Sequence, residues 1–165
     1  MQAVILAGGK GTRLRPLTYR MPKSIVPING KPFLQYQLEL IKSFGINEVL
    51  LLVSYLGEQI ERYFNNGSKF GLSIEYSYEE SPLGTGGALK NAEDKLKKEF
   101  LLLNGDTFLP IDYRKLISYF HQYNKIGVIT VYNNSKKIAS NNIAIGKSNL
   151  IIDYNKKDSK GMTQG

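Results

Sequence analysis

The chain has 165 residues, 42% hydrophobic and 22% charged, the balance of a folded domain and not of a disordered chain or a membrane bundle. A formal charge of +8 raises nucleic acid as a partner, yet the basic residues disperse. Lys95, Lys97 and Lys98 interleave with Glu93, Asp94 and Glu99, and Lys136-Lys137 and Lys156-Lys157 are isolated pairs, so no nucleic-acid face is expected. Cysteine is absent, which excludes disulfides and thiolate metal sites. The first apolar stretch breaks at Gly8 and no run approaches the ~18 apolar residues of a membrane span, so neither a signal peptide nor a membrane partner is expected and the location reads as cytoplasmic. The length suits a single domain over 1–165, burying roughly 70% of its unfolded surface.

In chain order, Gln2 to Leu6 and Glu48 to Ser54 read as β-rich apolar strands separated by a helix that Pro32 opens and Gly45 closes. A second helix runs from about Glu58 to Phe64 and stops at Asn65-Asn66-Gly67; a strand follows over Leu72 to Tyr78, and a third helix begins near Thr85 to Gly87. Phe100 to Leu103 is a continuous apolar run, expected to be a strand buried on both faces. Asp112 to Tyr123 reads as a helix, and Gly127 to Tyr132, Ile143 to Ile145 and Leu150 to Tyr154 read as three successive strands. This alternation predicts a three-layer, Rossmann-like α/β domain with right-handed crossovers, its central sheet mostly parallel and partly mixed at the edge. Ligands of such sheets sit at the carboxyl ends of the strands. Both Gly8-Gly9 and Asn104-Gly105-Asp106 fall at strand ends.

The densest chemistry follows the first strand, in Ala7-Gly8-Gly9-Lys10-Gly11-Thr12-Arg13-Leu14-Arg15-Pro16-Leu17-Thr18 with Pro22-Lys23 beyond it. Three glycines within four residues let the backbone approach an anion closely, and Lys10, Arg13, Arg15 and Lys23 add cations. A Walker loop is excluded because no Gly-Lys-Ser/Thr ending follows, and a dinucleotide fingerprint because Leu14 stands where a small residue is needed. A glycine turn carrying surface cations is the plainer alternative for the glycines alone.

The whole string is more specific. It resembles the signature of the sugar-1-phosphate nucleotidyltransferases, Gly-Gly-x-Gly-Thr-Arg-Leu-x-Pro-Leu-Thr followed by Pro-Lys, with every fixed position met. Two more family-like stretches follow in the expected order, Ser81-Pro82-Leu83-Gly84-Thr85-Gly86-Gly87-Ala88 and Leu101-Leu102-Leu103-Asn104-Gly105-Asp106. The resemblance implies a nucleotidyltransferase version of the α/β fold. It also implies a reaction in which a nucleoside triphosphate and a sugar 1-phosphate yield a nucleotide sugar and pyrophosphate.

Under that resemblance Leu6, Gly8, Gly9, Gly11 and Thr12 hold the nucleotide, Arg13 the leaving pyrophosphate, and Lys23 the transition-state phosphate charge, as paired anions require. Asp106 is the expected Mg²⁺ ligand, against the alternative of an Asp that merely shapes a turn with Gly105. Glu79, just ahead of Pro82 and Gly84, falls near the family's base contact; a carboxylate accepts from the N1–H and N2–H of guanine, which points to GTP, although adjacent Glu80 could serve instead or both could be surface residues. The stretches most resemble the guanylyltransferase branch acting on manno-configured sugars, D-glycero-D-manno-heptose 1-phosphate and mannose 1-phosphate. Lys156 matches the family's sugar-phosphate lysine without its usual Glu or Pro neighbours, and Asn141-Asn142 replaces a common Tyr-Gly pair. A second downstream carboxylate has no candidate. The resemblance therefore implies a C-terminally incomplete chain: a fragment, a shortened product, or a domain completing its site in a homo-oligomer. The alternative function is a nucleotide-binding module without turnover. His121 reads as structural, and the eleven tyrosines form no basic stacking stripe.

Overall fold

A computed structural model describes residues 1–123, 125–134 and 142–155. The chain divides into two compact units, Met1–Lys115 and Leu116–Gly165.

The first unit is built on four parallel strands, β1 (Gln2–Leu6), β4 (Glu48–Val53), β5 (Ser73–Tyr78) and β6 (Phe100–Asn104), in the order β5-β4-β1-β6. A short antiparallel pair, β2 (Pro27–Ile28) and β3 (Lys31–Pro32), lies between β1 and β4 in sequence. Helix α1 (Phe33–Ser43) carries the chain from β1 to β4, α2 (Gly57–Phe64) from β4 to β5, and α3 (Gly84–Asn91) from β5 back past both to β6. The strand order thus reverses beside β1. The crevice of a doubly wound sheet lies at such a reversal, outside the carboxyl ends of the strands.

Strand alternation divides the core into two faces. Val4, Leu50 and Leu52 close against Ala88 and Ala92, joined by Leu6, Leu89, Leu96 and Phe100. The other face, with Ala3, Ile5, Val49, Leu51 and Val53, is equally closed to solvent. Its covering helices show why their sequences form as they do: α1 buries Leu34, Gln37, Leu38 and Ile41, spaced as one helical stripe, and α2 buries Gly57, Ile60 and Phe64. Each fully buried Leu, Ile or Val contributes about 1.5–3 kcal/mol relative to exposure, so these strands hold their register by burial on both faces.

Three expectations are corrected. The central sheet is wholly parallel among the described residues, because β7 (Ile143–Ile145) and β8 (Ile151–Tyr154) pair with each other as a separate antiparallel hairpin in the second unit instead of extending it. Gly127 to Tyr132 is not a strand: Ile129, Val131 and Tyr132 are exposed and pair with no neighbour strand among the described residues. β6 is not buried on both faces, since among the described residues it ends the sheet and Leu102 is 36% exposed while Leu103 is buried. An apolar run reports β-propensity, but ladder partners decide whether it becomes a central strand. Helix α4 (Tyr113–Tyr123) forms as expected, with Asp112 Oδ1 accepting the Arg114 N–H at 3.0 Å. In the second unit His121 lies against the Phe120 ring at 5.4 Å. No helix among the described residues is long and apolar enough to cross a membrane.

Candidate nucleotide site

The β1 strand ends at Leu6, whose register partners are Leu52 of β4 and Asn104 of β6. The Gly8 segment and the Gly105-Asp106 turn therefore leave the sheet side by side. Gly105 makes that approach possible: its N–H donates to Leu6 O at 2.9 Å, and a Cβ there would stand 2.6 Å from the same oxygen. No side chain fits such a gap. Asp106, one residue further on, is carried to the foot of the glycine loop.

The loop itself is shaped by a few interactions. Gly8 packs against Ser54 at the end of β4. Gly11 has φ +59°, the left-handed region that costs other residues strain, and a Cβ on it would sit 2.9 Å from both Lys23 Cβ and Thr18 Cγ2. Buried Thr18 donates its hydroxyl to Gly11 O at 2.8 Å. Farther along, Tyr55 donates to Tyr19 O at 3.2 Å and Gln59 to Arg20 O at 3.0 Å. This scaffold holds an open run of donors: the backbone N–H groups from Gly8 through Arg13, including Gly9 and Thr12, meet no protein acceptor among the described residues. Successive free amides in a glycine turn form an anion-binding concavity. Lys10 and Arg13 beside them are exposed and form no ion pair among the described residues, whereas Arg15 lies over the Tyr19 ring at 4.9 Å.

Lys23 and Asp106, 83 residues apart, meet: Lys23 Nζ lies 2.6 Å from Asp106 Oδ2. Lys23 is thus no freely solvated loop lysine. Asp106 sits in a turn closed by the Thr107 N–H on Asn104 O at 3.2 Å, and Thr107 Oγ1 donates to Asp106 Oδ1 at 3.2 Å. Hydrogen bonding and charge from Lys23 hold the Asp106 carboxyl below the usual aspartate range, against the opposing effect of partial burial. The charged form is the one a divalent cation needs.

Glu79 follows β5, and its N–H donates to Val53 O at 2.9 Å. Its carboxylate Oε2 accepts the Leu83 N–H at 3.1 Å, so it ties off the Pro82-Leu83-Gly84 turn ahead of α3. Glu80 is exposed and takes no part in that tie. Pro82 and Gly84 are both exposed, and Gly84 has φ +71°. Lys156 lies outside the described residues, as does Asn141.

One site residue escaped the sequence reading. Gln37, 1% exposed on α1, donates through Nε2 to Asn104 O at 3.0 Å and Thr107 O at 3.1 Å. The available signal was an amide on the stripe Leu34, Leu38, Ile41, since a polar group at a core position needs a partner.

No group of three or more His, Cys, Asp or Glu side chains gathers among the described residues. The donor set is thus one carboxylate beside a run of amides. That fits a Mg²⁺ bound jointly by a protein carboxylate and substrate phosphates, and does not fit an all-protein metal cage.

A parallel α/β sheet with a glycine loop, a lysine and a carboxylate at its switch point defines a phosphate-handling class of protein. The chain belongs to the nucleotidyl transferase family, whose model matches residues 2–147. It is 51% identical over 116 residues to the D-glycero-alpha-D-manno-heptose 1-phosphate guanylyltransferase of Campylobacter jejuni, covering 70% of this chain and 52% of that protein. It is 45% identical over 129 residues to the mannose-1-phosphate guanylyltransferase of Mycobacterium tuberculosis, covering 78% of this chain and 36% of that protein. Among solved structures, HddC from Yersinia pseudotuberculosis complexed with GMP-PN superposes with a TM-score of 0.74 at 30% identity, covering 91% of this chain and 66% of that one. The chain spans about half the length, or less, of these curated relatives.

Proposed function

We propose that this chain carries the nucleotide-binding and transfer machinery of a guanylyltransferase, which moves GMP from GTP to a manno-configured heptose or hexose 1-phosphate and releases pyrophosphate. The free amides from Gly8 through Arg13 carry the reading, because an unpaired run of donors at the switch point suits a polyphosphate. In the reaction an oxygen of the sugar phosphate bonds to the α-phosphorus in line, and the bond from that phosphorus to the β-phosphate oxygen breaks. No proton transfer is required. The work left to the protein is orientation and neutralisation of charge.

Gly8, Gly9, Gly11 and Thr12 cradle the triphosphate through their amides, with Leu6 closing the strand end beneath. Arg13 grips the leaving pyrophosphate with its planar fork. Lys23, already at Asp106, neutralises the phosphate oxygens around the α-phosphorus. Asp106 would hold Mg²⁺, which would supply neutralisation of phosphate charge. Glu79 accepts from guanine through the carboxylate oxygen not bound to Leu83 N–H, while Pro82 and Gly84 border the base. The guanine preference is supported by the two guanylyltransferase relatives and by the GMP-PN complex of the Yersinia protein. Lys156 is the proposed contact to the sugar phosphate.

The second reading is a nucleotide-binding module without turnover. Pyrophosphate release with Mg²⁺, each nucleoside triphosphate in turn, and mannose or mannoheptose 1-phosphate separates the two. Release selective for GTP supports the transferase. GTP binding without release leaves the module.

A further inference from the structure

We propose that Gln37 is the positioning residue of the Asp106 carboxylate, an inference that rests on Asp106 being the metal ligand of the site. Its two donated hydrogen bonds end on Asn104 O and Thr107 O, the carbonyls on either side of Gly105-Asp106. Both hydrogens of one amide group are used, so their fork sets the separation of the two carbonyls. From the opposite side, Gly105 N–H is fastened to Leu6 O at 2.9 Å. The turn carrying Asp106 is thereby clamped between α1 and the end of β1, the strand that also launches the glycine loop.

Stability alone does not account for this side chain. Gln37 occupies the helical stripe of Leu34, Leu38 and Ile41, where another aliphatic group would pack without a desolvated amide. Its Oε1 is buried and accepts no hydrogen bond among the described residues, so the amide is kept for what its nitrogen reaches. A carboxylate that shares a cation with a bound phosphate must be held within about half an ångström of its working place. Gln37 does this without touching substrate, in the way that residues behind a metal ligand orient it.

The test is Mn²⁺ binding to this chain in the presence of a non-hydrolysable GTP analogue, read by electron paramagnetic resonance in wild type, Gln37→Met, Asp106→Asn and the double variant. Ile74→Val, at a buried position of β5 and remote from the turn, serves as a control for a general loss of packing. Gln37→Met should weaken Mn²⁺ about tenfold and speed amide exchange across residues 105–107, with metal-free affinity for the analogue unchanged within about twofold. On the Asp106→Asn background it should add nothing, as coupled residues behave. Wild-type Mn²⁺ affinity in Gln37→Met, unchanged exchange, or full additivity with Asp106→Asn overturns the positioning role alone. Mn²⁺ binding that is absent from wild type or indifferent to Asp106→Asn overturns the metal reading of Asp106, and this inference with it.

Discussion

Two loops at the same edge of the sheet are built very differently. The loop after β1, from Gly8 to Lys23, is tied at many points: Thr18 to Gly11, Tyr55 to Tyr19, Gln59 to Arg20, and Lys23 to Asp106. The loop after β5, from Glu79 to Gly84, is tied across by a single side-chain bond among the described residues, Glu79 to Leu83 N–H, with Pro82, Leu83 and Gly84 exposed. In the proposed function the first loop meets the phosphate end of the nucleotide, which is the same for every base, so a stiff cradle would serve it. The second would meet the base, and a loop whose shape depends on one side chain would let preference change without disturbing the cradle.

Breaking the stiff region should have the largest effect. Gly105→Ala would place a methyl 2.6 Å from Leu6 O, so a loss of about 2–4 kcal/mol in denaturant unfolding is expected, with loss of nucleotide binding. Gly86→Ala, in α3 beyond the soft loop, meets open space and should instead stabilise by about 0.5–1 kcal/mol through helix propensity. Equal effects at the two glycines would erase the contrast. Lys23→Ala removes a charge proposed to face the phosphates and should lower the rate of pyrophosphate release by roughly 10²–10³, with a melting temperature within a few degrees of wild type.

Thr18→Val keeps the shape and deletes the bond to Gly11 O, which should cost about 1 kcal/mol and weaken GTP binding several-fold in calorimetry. Glu79→Gln preserves an acceptor for Leu83 N–H, so its unfolding midpoint should not move. Nucleotide preference should shift away from GTP toward UTP by roughly tenfold, as one exchanged hydrogen-bonding partner allows. An unchanged preference would remove Glu79 from base recognition.

The smallest effect is the pH dependence of the Lys23–Asp106 pair. Lys23 lowers the carboxyl's folded value below the unfolded one, so the contribution is complete above about pH 3.9 and fades as pH falls through the lowered value. Both side chains are partly exposed, and salt screens the pair. Wild type should therefore lose a modest melting advantage over Asp106→Asn as pH falls below about 4, more visibly at low salt.

The central strands β1 and β4 were legible because runs such as Val49-Leu50-Leu51-Leu52-Val53 are buried on both faces and carry no alternation to confuse. Gly127 to Tyr132 misled for the complementary reason: its β-branched and aromatic residues state a propensity, while pairing depends on what lies beside them. Within the candidate site, the glycine loop, Lys23 and Asp106 were each visible as residues whose chemistry is local.

By itself the sequence determined the α/β alternation, the glycine loop with its cations, and a family signature running in order along the chain, because turn chemistry, strand propensity and motif spacing are local properties. Only the tertiary structure decided that Lys23 meets Asp106 across 83 residues, that Gly105 is required by the Leu6 carbonyl, and that Gln37 reaches over to hold the Asp106 turn. Those contacts depend on strand order and on which helix covers which face. Both are settled when the sheet buries its two surfaces, and neither is written in any one segment.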